Sequence, residues 1–375
     1  MTTTPLRKQG TTASRVSLTT GEDRRRNIVA ALDAIADDVA LLLGVDEILV
    51  KPNLVCSDNP LAVTHVDAVR AVLGWLRQRT DKPIVVGEGT ALSSTWEAFD
   101  AYGYCTLPTE YRDVRLVDLN ADETVELAAF NARLRRRMLR ASRLAVQSRL
   151  RISLAPPKTH DAVLVTLGLK NTVMGGLVSC LSSTDRNTGR PRSSLRGRVI
   201  GGGEALYMAL PGRIRNSMPI AQLKELFFGN FSPSDKAAMH QGFSIIHLNL
   251  FAMAAHLHPH LTVIDGFEAM EGNGPTDGEA LAWRVALAST DWLAADVTAA
   301  RLMGFALKEV GYLSYCAQAG YGMHDPADIQ LVGNADPVCV SRRFKRHALG
   351  SVQDRWQSAA VSRQVESALA LAAER

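Results

Sequence analysis

"EILVKPNLV", residues 47–55, is the stretch on which the fold turns. Ile48, Leu49 and Val50 are apolar without alternation, as in a strand covered on both faces, and Pro52 cannot donate to a ladder and ends it. Upstream, Ile28, Ala31, Leu32, Ile35, Val39 and Leu42 recur at helical spacing. Downstream, "HVDAVRAVLGWLRQR" (65–79) has the pattern of an amphipathic helix. "PIVVGEG" (83–89) then reads as a second buried strand, and "VRLVDLN" (114–120) as a third. Strand, helix and strand in alternation predict an α/β fold, a mainly parallel sheet flanked by helices, with room for a smaller second lobe.

Further along, "RLRISLAPPKTH" (149–160) is a strand leading into a proline loop. "FSIIHLNLFAMAAHLH" (243–258) is helical by pattern and precedes the strand "LTVIDG" (261–266). "TDWLAADVTAARLMG" (290–304) is a helix with Asp at its entrance and Gly at its exit. Residues 1–24, polar and rich in Thr, are expected to form a mobile tail. Residues 25–340 are expected to form the α/β domain, and 341–375 a C-terminal surface helix. "RLRRRMLRASR" (133–143) is read as a solvated helix face or ribbon edge. "TDRNTGRPRSSLRGR" (184–198) is read as a long exposed loop, with a lid over a substrate as the alternative.

Bulk properties narrow the function. Of the 375 residues, 46% are hydrophobic and 21% charged, an ordinary globular balance, and the formal charge of +4 gives no argument for nucleic acid as a partner. Cys56, Cys105, Cys180, Cys316 and Cys339 stand far apart with no CxxC, so no intrinsic iron–sulfur cluster and no zinc ribbon is expected. The absence of a disulfide framework, of a membrane-length apolar run and of a hydrophobic signal core predicts a cytoplasmic protein without membrane contact. The oligomeric state stays open, a homo-oligomer included.

Open α/β sheets bind ligands beyond the carboxyl ends of their strands. Here those ends are rich in functional groups: Lys51 and Asn53 after "ILV", Glu88 and Thr90 after "IVVG", and Lys158 and His160 after "ISLAPP". Asp265, Glu268, Glu271 and Asn273 follow "LTVI", and Lys170 and Asn171 stand in "TLGLKNTVMGG" (166–176). Taken singly, Lys51 reads as an exposed terminus, Asp265 as a turn former and His160 as a loop histidine. An ammonium beside apolar strands needs a counter-charge, however, and the acidic loop 265–275 offers one. Asp265, Glu268 and Glu271 could also hold a divalent metal, the one cofactor these residues suggest. "HLHPH" (256–260) is a weaker metal candidate, with a polar helix end as the plainer account. "GGGEA" (201–205) lacks both the Walker lysine and the dinucleotide-binding spacing.

"ILVKPNLV", "THVDAVRAVLGWLR", "KPIVVGEGTALSSTWEAFDAYGY", "LAPPKTH", "TLGLKNTVMGG", "TVIDGFEAMEGNGPTDG", "ALASTDWLAADVTAARLMGF" and "LVGNADP" occur in an order that resembles the DUF362 family, over roughly residues 46–335. The matching positions are Lys51, Pro52, Asn53, Lys158, Thr159, His160, Lys170, Asn171, Asp265, Glu271, Gly272, Asn273, Gly274, Pro275, Asp291 and Asp296. Many members carry an added ferredoxin-like segment with cysteine clusters, which this sequence lacks. The family's K-x-K-T-H stands here as "PPKTH", with Pro156 in the first lysine position, so no role that needs that lysine is carried over.

These residues together predict an enzyme acting on a small anionic metabolite by acid–base or metal-assisted chemistry, as in a biosynthetic tailoring step. Lys158 and Lys170 would hold the anionic group with Lys51 beside them, and His160 would transfer a proton. Asn53, Asn171 and Asn273 would bind substrate, and Asp265, Glu268 and Glu271 would pair these groups or hold the metal. Two alternatives are a redox protein dependent on a partner's iron–sulfur centre and a nucleic-acid-binding module gripping through its arginine-rich segments.

Overall fold

The computed structural model describes residues 13–179 and 234–373. In chain order the strands are β1 (Ser14–Thr20), β2 (Ile48–Lys51), β3 (Ile84–Glu88), β4 (Val114–Asp118), β5 (Thr124–Phe130), β6 (Arg136–Ser142), β7 (Arg151–Ala155), β8 (Lys158–His160), β9 (Leu164–Thr166), β10 (Leu261–Gly266), β11 (Ala269–Asn273), β12 (Asp277–Leu281), β13 (Val285–Ser289) and β14 (Ile329–Val332). Eight of them form one sheet in the order β14-β1-β13-β10-β7-β2-β3-β4, with β13 antiparallel to both of its neighbours and every other pairing parallel. A four-stranded sheet, β12-β11-β8-β9, and the ribbon β5-β6 stand apart from it. The fold is α/β, as the alternating pattern predicts.

The side-chain period of two explains why the central strands read as unbroken apolar runs. Ile48, Val50, Ile84, Val86, Ile152, Leu154 and Val263 bury one face against helices Arg24–Asp33 and Val66–Arg77. Leu49, Val85, Ile264 and Leu287 bury the other against helices Phe243–Leu257 and Trp292–Leu302. Both faces are covered, so alternation disappears. Register then sets the site. Lys51 pairs with Ser153 and Ser153 with Thr262, so these three share a face. Asp265 falls on the opposite face, with Val263.

From β2 the chain proceeds outward through β3 to β4, then returns through β7 and β10 on the other side of β2. The crevice beyond the ends of β2 and β7 is therefore a topological switch point, the place where open α/β sheets bind ligands.

The expectation of a mobile tail through residue 24 needs correction. Ser14–Thr20 is β1, inserted between β13 and β14. Val16 and Leu18 face the core, while the Ser17 and Thr19 hydroxyls donate to the carbonyls of Ala288 and Asn27. Residues 341–375 also differ from one surface helix. Helix Ala359–Ala373 follows a segment whose Phe344, Leu349 and Trp356 are buried, with the Trp356 ring 5.6 Å from that of His247 and 5.5 Å from that of Tyr315. Of the six arginines of 133–143, Arg136, Arg137 and Arg140 lie on the ribbon strand β6, where Arg140 pairs with Asp235 at 2.7 Å. The loop 184–198 and the glycines at 201–203 lie outside the described residues.

Candidate functional site

At the end of β2, Lys51 is 2% exposed. Its Nζ donates to the Pro52 carbonyl (2.7 Å), to Glu88 Oε2 (2.9 Å) and to Asn171 Oδ1 (2.9 Å). Glu88, at the end of β3, also accepts the backbone N–H groups of Leu54 and Gly89, both at 2.7 Å. Asn171 Oδ1 takes a second bond from Asn53 Nδ2 (3.0 Å), and Asn171 Nδ2 donates to the Lys51 carbonyl and to Ser153 Oγ. Asn53 Oδ1 in turn accepts from Lys158 Nζ (2.7 Å), which also donates to the Ala62 carbonyl at 2.5 Å. One continuous network thus runs Glu88–Lys51–Asn171–Asn53–Lys158. Each asparagine offers an oxygen toward a lysine and an amide elsewhere, an alternation that satisfies both ends.

The helix that carries Asn171, Gly168–Gly176, begins where Asp296 accepts the N–H groups of Gly168 (2.8 Å) and Leu169 (2.9 Å). Burial pushes Asp296 up to about 7, against those two bonds. Near the helix end, Gly175 lies against the Lys51–Glu88 pair: a Cβ there would enter the space of Lys51 Cε and Nζ and sit 2.7 Å from Glu88 Oε1.

Lysine charge is the dominant electrostatic feature. Burial lowers Lys51, with Glu88 opposing. Burial and then the neighbouring Lys170 charge bring Lys158 down to about 7. Burial brings Lys170 down to about 8, with Asp161 opposing. A further lysine, Lys236, is 3% exposed, donates to the carbonyls of Met174 and Leu177, and is held by burial at about 7. Nothing in "SPSDKAAM" (232–239) signals this burial. It is visible only once the chain is folded.

His160 is 3% exposed and follows Lys158 on the same side of β8. Its Nδ1 accepts the Ala162 N–H at 3.0 Å and lies 3.1 Å from Asp161 Oδ1, and its ring stacks on His240 with centroids 6.2 Å apart.

The structure joins Lys51, Asn53, Lys158 and Asn171 directly and places Lys170 and His160 beside them. The acidic-loop residues are engaged elsewhere. Asp265 pairs with Arg24 Nε at 3.2 Å on the other face of the sheet, where burial lifts it to about 6. Glu271 accepts the Lys345 N–H (2.8 Å), Asn273 Oδ1 accepts the Ala348 N–H (3.1 Å), and Glu268 is exposed. Among the described residues no three His, Cys, Asp or Glu side chains gather as a metal would require. The "HLHPH" histidines likewise serve the backbone. His258 Nδ1 lies 2.9 Å from the Ala254 carbonyl, and His260 Nδ1 accepts the Arg151 N–H at 2.9 Å. Burial, reinforced by the Arg151 charge, brings His258 down to about 4 and His260 to about 3.

The chain belongs to the family described as a domain of unknown function, DUF362, whose model matches residues 48–193 and 221–301. The thylakoid-associated protein sll1697 of Synechocystis sp. is 24% identical over 254 residues, which cover 67% of this chain and 61% of that relative's length. The chain thus spans about three fifths of the curated relative it matches. Among solved structures, the lactate racemase apoprotein from Thermoanaerobacterium thermosaccharolyticum aligns with a TM-score of 0.37 and 13% identity, over 79% of this chain and 57% of that one. A likeness that slight carries neither a site nor a reaction across. Among the described residues no helix is long and apolar enough to cross a membrane.

Proposed function

We propose that the protein is an enzyme that binds a small anionic metabolite at the β2/β7 switch point and acts on it by acid–base chemistry. One observation carries this reading. Lys51, Lys158, Lys170 and Lys236 are all buried around the strand ends, and among the described residues Glu88 is the only carboxylate hydrogen-bonded to any of them. Asp161 opposes the Lys170 charge, and Glu88, Asp118 and Asp235 oppose that of Lys236, without a hydrogen bond to either lysine among the described residues. Buried cations are costly unless closely paired, so such a site favours an anionic occupant that makes those contacts. Such an occupant would raise the affinity of Lys158 and Lys170 for protons and would be held in return.

Lys158 and Lys170 are the anion-holding groups in this reading, with Asn53 and Asn171 fixing Lys158 and Lys51. Lys51 and Glu88 form the rigid floor. His160 moves the proton. Its Nδ1 has a partner in either protonation state, because the neutral ring accepts the Ala162 N–H and the imidazolium can donate to Asp161. Protonation at Nδ1 trades the Ala162 N–H bond for one to Asp161, so the carboxylate offsets part of the cost of charging the ring, which suits general acid–base work.

The experiment is a thermal-shift screen of anionic metabolites on the full-length protein, followed by incubation of the hits in D2O with detection of solvent deuterium in the substrate. The reading expects at least one anion to bind and exchange with wild type, and the His160→Ala variant to bind it without exchange. Binding that survives Lys158→Met and Lys170→Met unchanged would remove the lysines from the site and the reading with them.

A further inference from the structure

The described residues contain two buried groups near Lys158 that lie outside the network above. Lys170 is 6% exposed, with the Asp161 carboxylate as its opposing charge. Thr166 is 3% exposed, and its Oγ1 is buried without a hydrogen-bond partner. Thr166 is not remote from the lysines. It pairs directly with Lys158 across the antiparallel β8–β9 ladder, and directly opposed residues project to the same side with Cβ atoms about 4.5–5.5 Å apart. Lys158 itself spends two of its three donors on Asn53 and Ala62. One N–H of Lys158 and the Thr166 hydroxyl therefore border the same place, and the Lys170 ammonium is near enough for its charge to act on Lys158. A buried polar atom left without a partner in a folded protein calls for an explanation, and an absent ligand is one.

We infer that Lys158, Thr166 and Lys170 form the seat of a carboxylate group, which makes the substrate of the proposed enzyme a small carboxylic acid. This rests on the reading of the site as anion-binding and adds the identity of the anion. The choice between carboxylate and phosphate comes from the donor count. A phosphate is commonly cradled by the amide groups at a helix N-terminus. Here the nearest such terminus, that of Gly168–Gly176, has already given its Gly168 and Leu169 N–H groups to Asp296. What is left is two ammonium groups, the second already opposed by Asp161, and one hydroxyl, a small donor set that suits the two oxygens of a carboxylate. Thr166 has a defined part in that seat: its hydroxyl fixes one oxygen that a mobile ammonium alone would leave free to rotate.

The test is calorimetric titration of the full-length protein with acetate and with inorganic phosphate, in chloride-matched buffer below pH 7, where Lys158 and Lys170 carry charge. Wild type is compared with Thr166→Val, Thr166→Ser and Lys170→Met. Acetate should bind wild type more tightly than phosphate does. Thr166→Val should lose about tenfold in affinity, the size of one hydrogen bond to a charged group, and Thr166→Ser should keep it. Lys170→Met should lose at least as much. Unchanged acetate binding by Thr166→Val, with Lys170→Met impaired, would overturn the Thr166 seat while sparing the anion site. Phosphate binding more tightly than acetate would overturn the carboxylate assignment. Loss of neither affinity in Lys170→Met would overturn both the seat and the reading on which it rests.

Discussion

Replacing Gly175 by alanine tests how tightly the lysine network is packed. The added methyl would occupy the position of the Lys51 side-chain end and lie 2.7 Å from Glu88 Oε1. Because Gly175 lies in the helix Gly168–Gly176, alanine gains up to about 1 kcal/mol in helix propensity. Against this, forcing a methyl into a filled core costs about 1–3 kcal/mol. Separating Lys51 from Glu88, both 2% exposed, adds about 3–5 kcal/mol if the pair is fully broken. The net loss should fall at about 2–5 kcal/mol, according to how far Lys51 can withdraw. Urea denaturation of Gly175→Ala against wild type measures it. The double variant Lys51→Ala/Gly175→Ala supplies the control, since removing the lysine opens the space the methyl needs. There the second substitution should cost far less, a coupling of at least about 1 kcal/mol. A Gly175→Ala protein as stable as wild type, or costs that simply add, would show that the glycine does not pack on the ion pair.

Three further outcomes follow from buried groups. Lys158 falls from 10.5 to about 7 on folding, so the unfolded chain binds more protons between those values and stability rises with pH across that window. The urea midpoint of wild type should therefore gain on that of Lys158→Met between pH 7 and pH 10, and parallel profiles would contradict the assigned burial. The Arg151 guanidinium donates to the carbonyls of Ala145, Val146, Ser148 and His258, so Arg151→Ala should cost about 3–5 kcal/mol in chemical denaturation. Trp356→Ala should cost a similar amount, about 3–5 kcal/mol, because the indole is 6% exposed and packs on His247 and Tyr315; a loss below about 1 kcal/mol would place it on the surface.

The parts of the fold that could be read along the chain are those where one stretch carries its own evidence. "ILVK", "IVVGE" and "LTVIDG" are apolar runs closed by Pro or Gly, and a parallel sheet covered on both faces requires strands of that kind. β1 escaped because its inner polar face is made of Ser17 and Thr19, whose hydroxyls are satisfied by Ala288 and Ala286 far along the chain and by Asn27 across a turn. The burial of Phe344 and Trp356 has the same origin: Phe344 packs on Trp283, between β12 and β13, and Trp356 on His247 and Tyr315 in two helices, all more than forty residues away, and no periodicity announces them.

For the site, strand-end position brings Lys51, Asn53 and Lys158 into one hydrogen-bond network, because register delivers them to the switch point. Strand-end position does not say which face a residue takes, and a one-residue step along β10 sends Asp265 to Arg24 instead. Glu88 stands out in the sequence as a strand-end carboxylate, but its pairing with Lys51 depends on β2 and β3 being neighbours. Lys236 had no local signal at all.

The central claim is that buried lysines with lowered proton affinity wait for an anion. NMR pH titration of the ε-methylene signals of Lys158 and Lys170, assigned by Lys158→Met and Lys170→Met and recorded with and without acetate, tests it directly. The account predicts midpoints near 7 and 8 in the free protein, both moving upward when the anion binds. Midpoints near the ordinary lysine value of 10.5, unmoved by the anion, would contradict it.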